Sequence, residues 1–191
     1  MKALVKGSRG RRARLNSDAL LAAGFQAPEN IAWGSLPGRS EYLFTRAVPG
    51  QGVTHWLREV LAPRSGEELT QRRQLLRQLG HFIGRMHAAG FIHGDLRTSN
   101  VLAHWQDGDF RFTLIDNERT VRIQPPPGRA LLRNLMQLNM LTHADLSPRD
   151  RMRFFAGWRQ EMGELNSVEA KVLAKEAYQW AMRRLAAKGK R

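Results

Sequence analysis

The sequence contains no cysteine. This absence excludes disulfide bonds, catalysis by a thiolate and zinc sites with cysteine ligands, but it does not identify a compartment. The sequence also lacks any uncharged apolar run close to the roughly 20 residues that a membrane-spanning helix needs. Its first residues lack the apolar segment of a signal peptide. We therefore expect the protein to remain in the cytoplasm.

Acidic residues are scarce in comparison with basic ones. The chain has 17 Asp and Glu residues against 31 Lys and Arg residues, which gives a formal net charge of +14. Basic residues cluster at residues 9–14 and 183–191, and such a charge attracts polyanions. Nucleic acid, an anionic membrane face, nucleotides and phosphorylated substrates all fit, as does an ordinary solvated surface. Nucleic acid is the least favoured, because no helix-turn-helix, zinc-finger or aromatic-rich sheet signature accompanies the charge.

The first half of the chain mixes strand and helix patterns. In chain order, the composition and the spacing of apolar residues predict a short strand, a helix that stops before a glycine, two strands joined by a Gly/Pro turn, a short amphipathic segment and a long amphipathic helix. These elements fall at residues 3–6, 13–23, 31–48, 54–62 and 69–89.

The second half begins with a hairpin and continues as helices. Alternating apolar residues in VLAHW and FRFTLID flank an Asp-Gly turn, which is a strong hairpin signal. Helices are then predicted over residues 129–142, from Ser147-Pro148 and from about Ser167. Their apolar stripes are most simply interpreted as core, with a membrane-binding face on the last helix as the alternative. The fold class expected from these patterns is α+β.

The stretch FIHGDLRTSN, residues 91–100, contains the most specific motif of the sequence. His93, Asp95 and Asn100 have the spacing of the kinase catalytic loop, in which the Asp accepts a proton from the acceptor hydroxyl and the Asn holds magnesium. A polar turn between helix and strand is the plainer interpretation. Asp116 at the end of FRFTLID favours the kinase interpretation, because a second magnesium ligand belongs at that point.

The chemistry explains why these residue types occur together. Transfer of a γ-phosphoryl group requires metal ions that neutralise charge on the phosphate oxygens, and magnesium prefers carboxylate, nucleotide and water oxygens. The hairpin brings Asn100 and Asp116 together as metal ligands, while Asp95 lies opposite and orients the attacking hydroxyl. For His93, support of the loop is favoured over proton transfer.

Gly94 precedes Asp95, where most protein kinases have an arginine. An HGD loop is typical of kinases that act on antibiotics, choline or sugars, and of bacterial lipopolysaccharide kinases. The segments FIHGDLRTSNVL, LIDNERT, RMHAAG and LLRNLMQLNMLTHADLSPRDRMRFFAGW together resemble the lipopolysaccharide core kinase family, which comprises Kdo and heptose kinases. The resemblance extends from about Ala3 to Leu185.

The resemblance implies a protein-kinase-like α+β fold with a truncated small β lobe at residues 1–48. A mainly helical large lobe at residues 49–191 then carries the catalytic-loop hairpin. It also implies ATP and Mg²⁺ as cofactors, a hydroxyl of a lipid-linked inner-core sugar as acceptor, and work at the cytoplasmic face of the inner membrane, with peripheral contact to anionic lipid.

The same resemblance implies the roles of individual residues. Asp95 is the catalytic base, and Asn100 and Asp116 are metal ligands. Lys6 matches the lysine that grips the nucleotide phosphates. The backbone of the hinge binds adenine, at residues Arg46, Ala47 and Val48.

Two departures from the family pattern leave other functions open. The sequence has no GxGxxG motif, and GSRG at residues 7–10 follows Lys6 instead of preceding it. No Glu lies between Lys6 and Pro28, where a helix normally supplies a partner for this lysine, and Asp18 is the only acid there. A pseudokinase or binding scaffold is therefore one alternative, and a small-molecule or protein kinase of the same fold is the other.

Overall fold

The computed structural model describes residues 8–36, 40–63, 65–126 and 128–189. The predicted strand at residues 3–6, and Lys6 with it, lies outside the described residues. Over these described ranges, none of the helices is both long and apolar enough to cross a membrane.

The chain forms six α-helices and seven strands within the described residues, joined by short helical turns. The strands are β1 (Asn30–Ser35), β2 (Glu41–Thr45), β3 (Gln51–Gly52), β4 (Phe91–Ile92), β5 (Val101–Gln106), β6 (Asp109–Leu114) and β7 (Val121–Arg122). The helices are α1 (Arg9–Ala22), α2 (Val53–His55), α3 (Gly66–Ala88), α4 (Gly128–Leu138), α5 (Pro148–Glu161) and α6 (Ser167–Ala187). A π-helical turn (Trp56–Val60) follows α2, and 3₁₀ turns lie at Thr98–Asn100 and Asn117–Arg119.

The structure confirms most predicted elements and shifts some boundaries. Helix α1 begins at Arg9, four residues earlier than predicted, because the Ser8 side chain accepts a hydrogen bond from the Arg11 N–H and caps the helix. Helix α4 ends at Leu138 instead of residue 142. The Leu135 carbonyl of the last turn accepts hydrogen bonds from both the side chain and the backbone N–H of Asn139, at 2.8 and 3.1 Å.

The small β1–β2 sheet is antiparallel and packs against α1. Trp33 pairs with Leu43 across the strands, and the Arg14 guanidinium lies over the Trp33 ring at 5.4 Å. On the opposite face Phe44 is 61% exposed, whereas Trp33 is 39% exposed. The sheet therefore uses one face to hold α1.

Helices α3 and α5 form the centre of the larger, helical part. They cross closely because glycines lie at the contact: a Cβ on Gly80 would come within 2.9 Å of the Trp158 nitrogen. Trp158 is fully buried, as are Leu75 and Ile83 of α3. This helical platform supports the three-stranded sheet β3-β5-β6.

A buried arginine ties the helical part together. Arg72 of α3 forms an ion pair with Asp150 of α5 at 3.1 Å, and the two side chains are 1% and 4% exposed. Its guanidinium also donates to the carbonyls of Leu57 and Leu61 at 2.9 Å, and to the carbonyl of Asp145. Arg72 thus satisfies one carbonyl within the π-helical turn at residues 56–60 and the carbonyl of the residue that follows the turn.

Candidate active site

His93 is buried and supports the loop that follows it. Its Nδ1 accepts a hydrogen bond from the Asp95 N–H at 3.1 Å, so Nε2 carries the proton and donates to the Ile115 carbonyl at 3.0 Å. Burial is the largest influence on its pKa, which lies below the ordinary histidine value. A neutral ring therefore fastens the loop to the residue before Asp116.

The Asp95 carboxylate is held in place from two sides. Its Oδ2 accepts a hydrogen bond from Arg97 at 2.6 Å, and its Oδ1 accepts one from Gln137 at 3.4 Å. The side chain is still 26% exposed. It is thus oriented by the protein and open to a substrate hydroxyl.

Asn100 is buried with its amide turned toward Asp95. The Nδ2 group donates to the Asp95 carbonyl at 2.9 Å. The only contact to Oδ1 within the described residues is a long one, from the Ser99 hydroxyl at 3.5 Å. Its amide oxygen is therefore free to bind a hard cation.

Asp116 has a backbone conformation that is unusual for a residue with a side chain. Its φ is 61° and its ψ 46°, in the left-handed region, which Asp tolerates better than most residues and which clusters at functional sites. The side chain is exposed. Within the described ranges it forms neither a hydrogen bond nor an ion pair, so its oxygens remain available.

The hairpin brings the three predicted side chains together. Strands β5 and β6 pair Val101 with Leu114, and the Ile115 N–H donates to the Asn100 carbonyl at 3.1 Å. The carboxylates of Asp95 and Asp116 both raise the His93 pKa against the effect of burial, so both lie near its ring. Asp95, Asn100 and Asp116 thus converge at one end of the hairpin.

This donor set fits a magnesium–nucleotide complex. Among the described residues there is no group of three or more His, Asp and Glu side chains able to hold a metal ion. Asn100 and Asp116 offer one amide oxygen and one carboxylate, both uncommitted. Magnesium is commonly bound by one or two such groups together with phosphate and water oxygens.

The predicted hinge is partly committed to other contacts. The Arg46 N–H donates to the Glu29 carbonyl at 2.8 Å, and its guanidinium pairs with the Glu29 carboxylate at 2.7 Å. The Arg46 N–H therefore holds the small sheet and is not available to adenine. Ala47 and Val48 remain the hinge candidates.

Helix α1 contacts the segment after Asp116 through ionic and amide groups. Arg9 pairs with Glu118 at 2.5 Å, and this hydrogen bond lowers the pKa of Glu118 against the opposing effect of burial. Asn16 donates to the Asn117 carbonyl at 2.7 Å. Asp18 accepts a hydrogen bond from Asn30 at 2.8 Å, so the only acid of α1 is engaged with β1.

A buried hydrogen-bond chain behind the loop was not predicted. Trp158 donates to His87 Nδ1 at 2.9 Å, and His87 Nε2 then donates to Asn134 at 3.2 Å. His87 is fully buried, and burial lowers its pKa to about 4. Asn134 binds both backbone polar groups of His93, at 3.1 and 2.6 Å.

Helix α4 continues this chain toward the catalytic loop. Gln137, one turn after Asn134, accepts a hydrogen bond from the Leu96 N–H at 3.1 Å and donates to Asp95. The loop is therefore fixed on both sides of Asp95. The sequence carries a signal for this role, because two amide side chains interrupt the apolar stripe of α4 three residues apart.

Gly94 lies directly against Arg119, a contact that the sequence did not predict. A Cβ on Gly94 would come within 2.6 Å of the Arg119 carbonyl oxygen. In this chain the backbone of Arg119 occupies the space that a side chain at position 94 would need. The glycine of the HGD loop is thus required by packing.

We expect Gly94→Ala to destabilise the protein by about 1–3 kcal/mol, because the new methyl group displaces the segment that carries Asp116. Urea denaturation followed by tryptophan fluorescence measures this change. Gly163→Ala is the matched control, since a Cβ there meets no atom within 4 Å. Equal stabilities of the two variants would contradict the packing role of Gly94.

The arrangement defines a protein with a protein-kinase-like fold, and solved structures agree. The chain is similar to WaaP in complex with acyl carrier protein, with 20% identity, a TM-score of 0.68, and coverage of 90% of this chain and 76% of that one. It is similar to WbdD, with 22% identity, a TM-score of 0.51, and coverage of 90% and 37%. It is also similar to aminoglycoside-3'-phosphotransferase of type VIII, with 17% identity, a TM-score of 0.50, and coverage of 90% and 79%.

The family is shown by sequence. The model of the lipopolysaccharide kinase (Kdo/WaaP) family matches residues 11–158, and the chain belongs to this family. Among curated proteins, it is similar to the EKC/KEOPS complex subunit BUD32 of Coccidioides immitis, at 45% identity over 62 residues, and to that of Aspergillus clavatus, at 41% over 51 residues. These matches cover 32% and 25% of this chain, and 18% of the length of each relative.

Proposed function

We propose that this protein is an ATP-dependent kinase that phosphorylates a sugar hydroxyl of the lipopolysaccharide inner core, on Kdo or heptose. The observation that carries the proposal is the convergence of Asp95, Asn100 and Asp116 in a chain of the lipopolysaccharide kinase family. Residues 1–48 then form a small lobe and residues 49–191 a large one, with the nucleotide between them.

Asp95 acts as the base of the proposed reaction. Its carboxylate accepts the proton of the acceptor hydroxyl and orients the oxygen, whose bond to the γ-phosphorus forms as the bond to ADP breaks. Arg97, paired with Asp95 at 2.6 Å, places a positive charge beside the transferred phosphoryl group. Gln137 and Asn134 keep the loop in this orientation.

Asn100 and Asp116 hold the metal in this proposal. Magnesium, when bound with the nucleotide, neutralises charge on the phosphate oxygens. Lys6 grips the phosphates, and the backbone of Ala47 and Val48 receives the adenine. The roles of Lys6, Ala47 and Val48 follow from the family pattern.

The charge of the chain suits an anionic acceptor at a membrane. A net charge of +14 favours peripheral contact with the anionic cytoplasmic face of the inner membrane, where lipid-linked core glycans are assembled. It also favours the phosphate and carboxylate groups of the glycan itself. A small-molecule or protein kinase of the same fold would phosphorylate a different acceptor with the same residues.

One observation favours a second function, that of a binding scaffold without activity. The only acid of α1, Asp18, is bonded to Asn30 at 2.8 Å and has Arg14 at 3.8 Å. Asp18 is therefore not free to serve as the acidic partner that positions the lysine in active kinases. A scaffold of this kind would not need magnesium and ATP.

We expect Mg²⁺ and ATP together to stabilise the protein against thermal unfolding, by roughly 2.7 kcal/mol at a hundredfold excess over the dissociation constant. Asp116→Asn should lose this gain, because a neutral amide replaces the metal-binding carboxylate. Asp107→Asn, at the far turn of the same hairpin, should retain it. Stabilisation that is absent in the wild type, or independent of magnesium, would favour the scaffold.

A further inference from the structure

A cavity of about 410 Å³ lies between α5 and α6, away from the catalytic loop. Helix α5 packs against α3, and α6 packs against α4, so the two helices leave a gap between their facing sides. The volume lies within the range of about 300–1,000 Å³ that is typical of small-molecule sites. The cavity is therefore large enough for a ligand.

The exposed surface of the cavity wall is mainly apolar. Leu135 of α4 lies at its base, Phe154 and Phe155 form the α5 side, and Ala174 and Ala177 form the α6 side. Met152, at the edge, is 67% exposed. Nucleotides and sugars need several converging polar groups. Of the polar lining residues, Asn139 and Arg151 are bonded to each other at 2.7 Å, and the Tyr178 hydroxyl contacts His143 at 3.2 Å.

All charged side chains that line the cavity are positive. Lys171 and Lys175 lie one turn apart on α6, and neither forms an ion pair within the described part of the chain. Arg151 is 8% exposed and lies over the Tyr178 ring at 5.5 Å. Its terminal nitrogens donate to the Asn139 side chain and to the Leu141 carbonyl, both at 2.7 Å. The cavity therefore combines an apolar interior with two lysines that have no ion-pair partner among the described residues.

We propose that this cavity binds one acyl chain of an anionic membrane phospholipid. The acyl chain lies between Phe155 and Ala174, and the phosphate of the lipid headgroup contacts Lys171 and Lys175 at the rim. The site extends the membrane contact of the proposed function, but it does not depend on kinase activity and is tested without ATP.

The first experiment measures binding of dodecyl phosphate by isothermal titration, below its micellar concentration. Decyl phosphate, two methylenes shorter, should bind roughly tenfold more weakly. Ala174→Trp, which fills the cavity, should weaken binding of dodecyl phosphate at least tenfold. Neutral dodecyl maltoside should bind at least tenfold more weakly than the phosphate in the wild type.

Reversing the charge of the two rim lysines distinguishes their specific contact with the phosphate from general attraction to a basic protein. Lys171→Glu combined with Lys175→Glu should weaken dodecyl phosphate binding about tenfold or more. Lys188→Glu, past the end of the same helix, is the control and should leave binding unchanged. An unaltered thermal midpoint verifies that each variant is folded.

Sedimentation with lipid vesicles tests whether the bound acyl chain comes from a membrane phospholipid. The wild type should sediment with vesicles of phosphatidylglycerol and phosphatidylcholine several-fold more than Ala174→Trp does. Equal sedimentation of both, or wild-type affinity of Ala174→Trp for dodecyl phosphate, would overturn the proposal. Tight binding of an acylated carrier protein, the partner found with WaaP, with no loss of vesicle binding in Ala174→Trp, would likewise assign the cavity to a different occupant.

Discussion

Asp95→Asn is expected to lower kcat by about a hundredfold to ten-thousandfold, the contribution of a positioned general base. The variant keeps the shape of the side chain, and an amide oxygen can still accept the hydrogen bond from Gln137 or Arg97. What it loses is the negative charge that, in the proposed reaction, takes the proton and orients the hydroxyl. The measurement is magnesium-dependent ATP turnover with an inner-core acceptor.

The expected loss is specific to kcat. The KM for ATP should stay within about threefold of the wild type, because Asp95 does not contact the nucleotide in the proposed arrangement. Asp107→Asn makes the same change at the exposed turn of the β5–β6 hairpin and should have full activity. A kcat of Asp95→Asn within threefold of the wild type would refute the assignment of the base.

Asp150→Ala is expected to destabilise the protein by about 3–5 kcal/mol, the cost of leaving one charge of a buried pair without its partner. The Arg72 guanidinium, 1% exposed, would keep its bonds to the carbonyls but lose its only counter-ion within the described residues. The capping box with Ser147 at the start of α5 would be lost as well. Urea denaturation measures the free energy of unfolding.

An exposed ion pair provides the control for this effect. Glu29 and Arg46 are paired at 2.7 Å, but their side chains are 61% and 67% exposed, so Glu29→Ala should cost less than about 1 kcal/mol. If Asp150→Ala costs no more than Glu29→Ala, the buried pair does not stabilise the fold. Intact α-helical circular dichroism shows that the comparison concerns folded proteins.

The same pair predicts a dependence of stability on pH. Burial raises the pKa of Asp150, but the hydrogen bond from Ser147 and the charge of Arg72 outweigh it, so the pKa lies below its ordinary value. A carboxyl group with a lowered native pKa stabilises the fold fully above its unfolded pKa of about 3.9, and this contribution is lost as the pH falls through the native value. The stability difference between the wild type and Asp150→Ala should therefore shrink below about pH 4.

The parts of the site that could be predicted from the sequence are local ones. His93, Asp95 and Asn100 lie within one loop, and the Asp-Gly turn sets the strand pairing that brings Asp116 beside Asn100. These features depend on spacing of a few residues and on one hairpin. The long helices were also predictable from local sequence, because their apolar residues recur every three or four positions.

The parts that could not be predicted depend on contacts between distant residues. Arg9 and Glu118 are 109 positions apart, and Asn134 reaches His93 across 41 positions. Such contacts produce no periodic pattern in the sequence, because they depend on how helices, strands and loops pack against each other. The commitment of the Arg46 N–H to Glu29 has the same origin, and it narrows the predicted hinge to Ala47 and Val48.

The proposed transfer of phosphate from ATP to a sugar hydroxyl can be observed directly in the reaction products. Purified protein is incubated with γ-labelled ATP, Mg²⁺ and deacylated inner-core oligosaccharides that end in Kdo or heptose, and the products are separated and their masses determined. We predict one labelled phosphate on a sugar hydroxyl, formed with Mg²⁺, abolished by chelation and absent with Asp116→Asn. Magnesium-dependent binding of ATP without label on either oligosaccharide would mean that the site does not phosphorylate inner-core sugars.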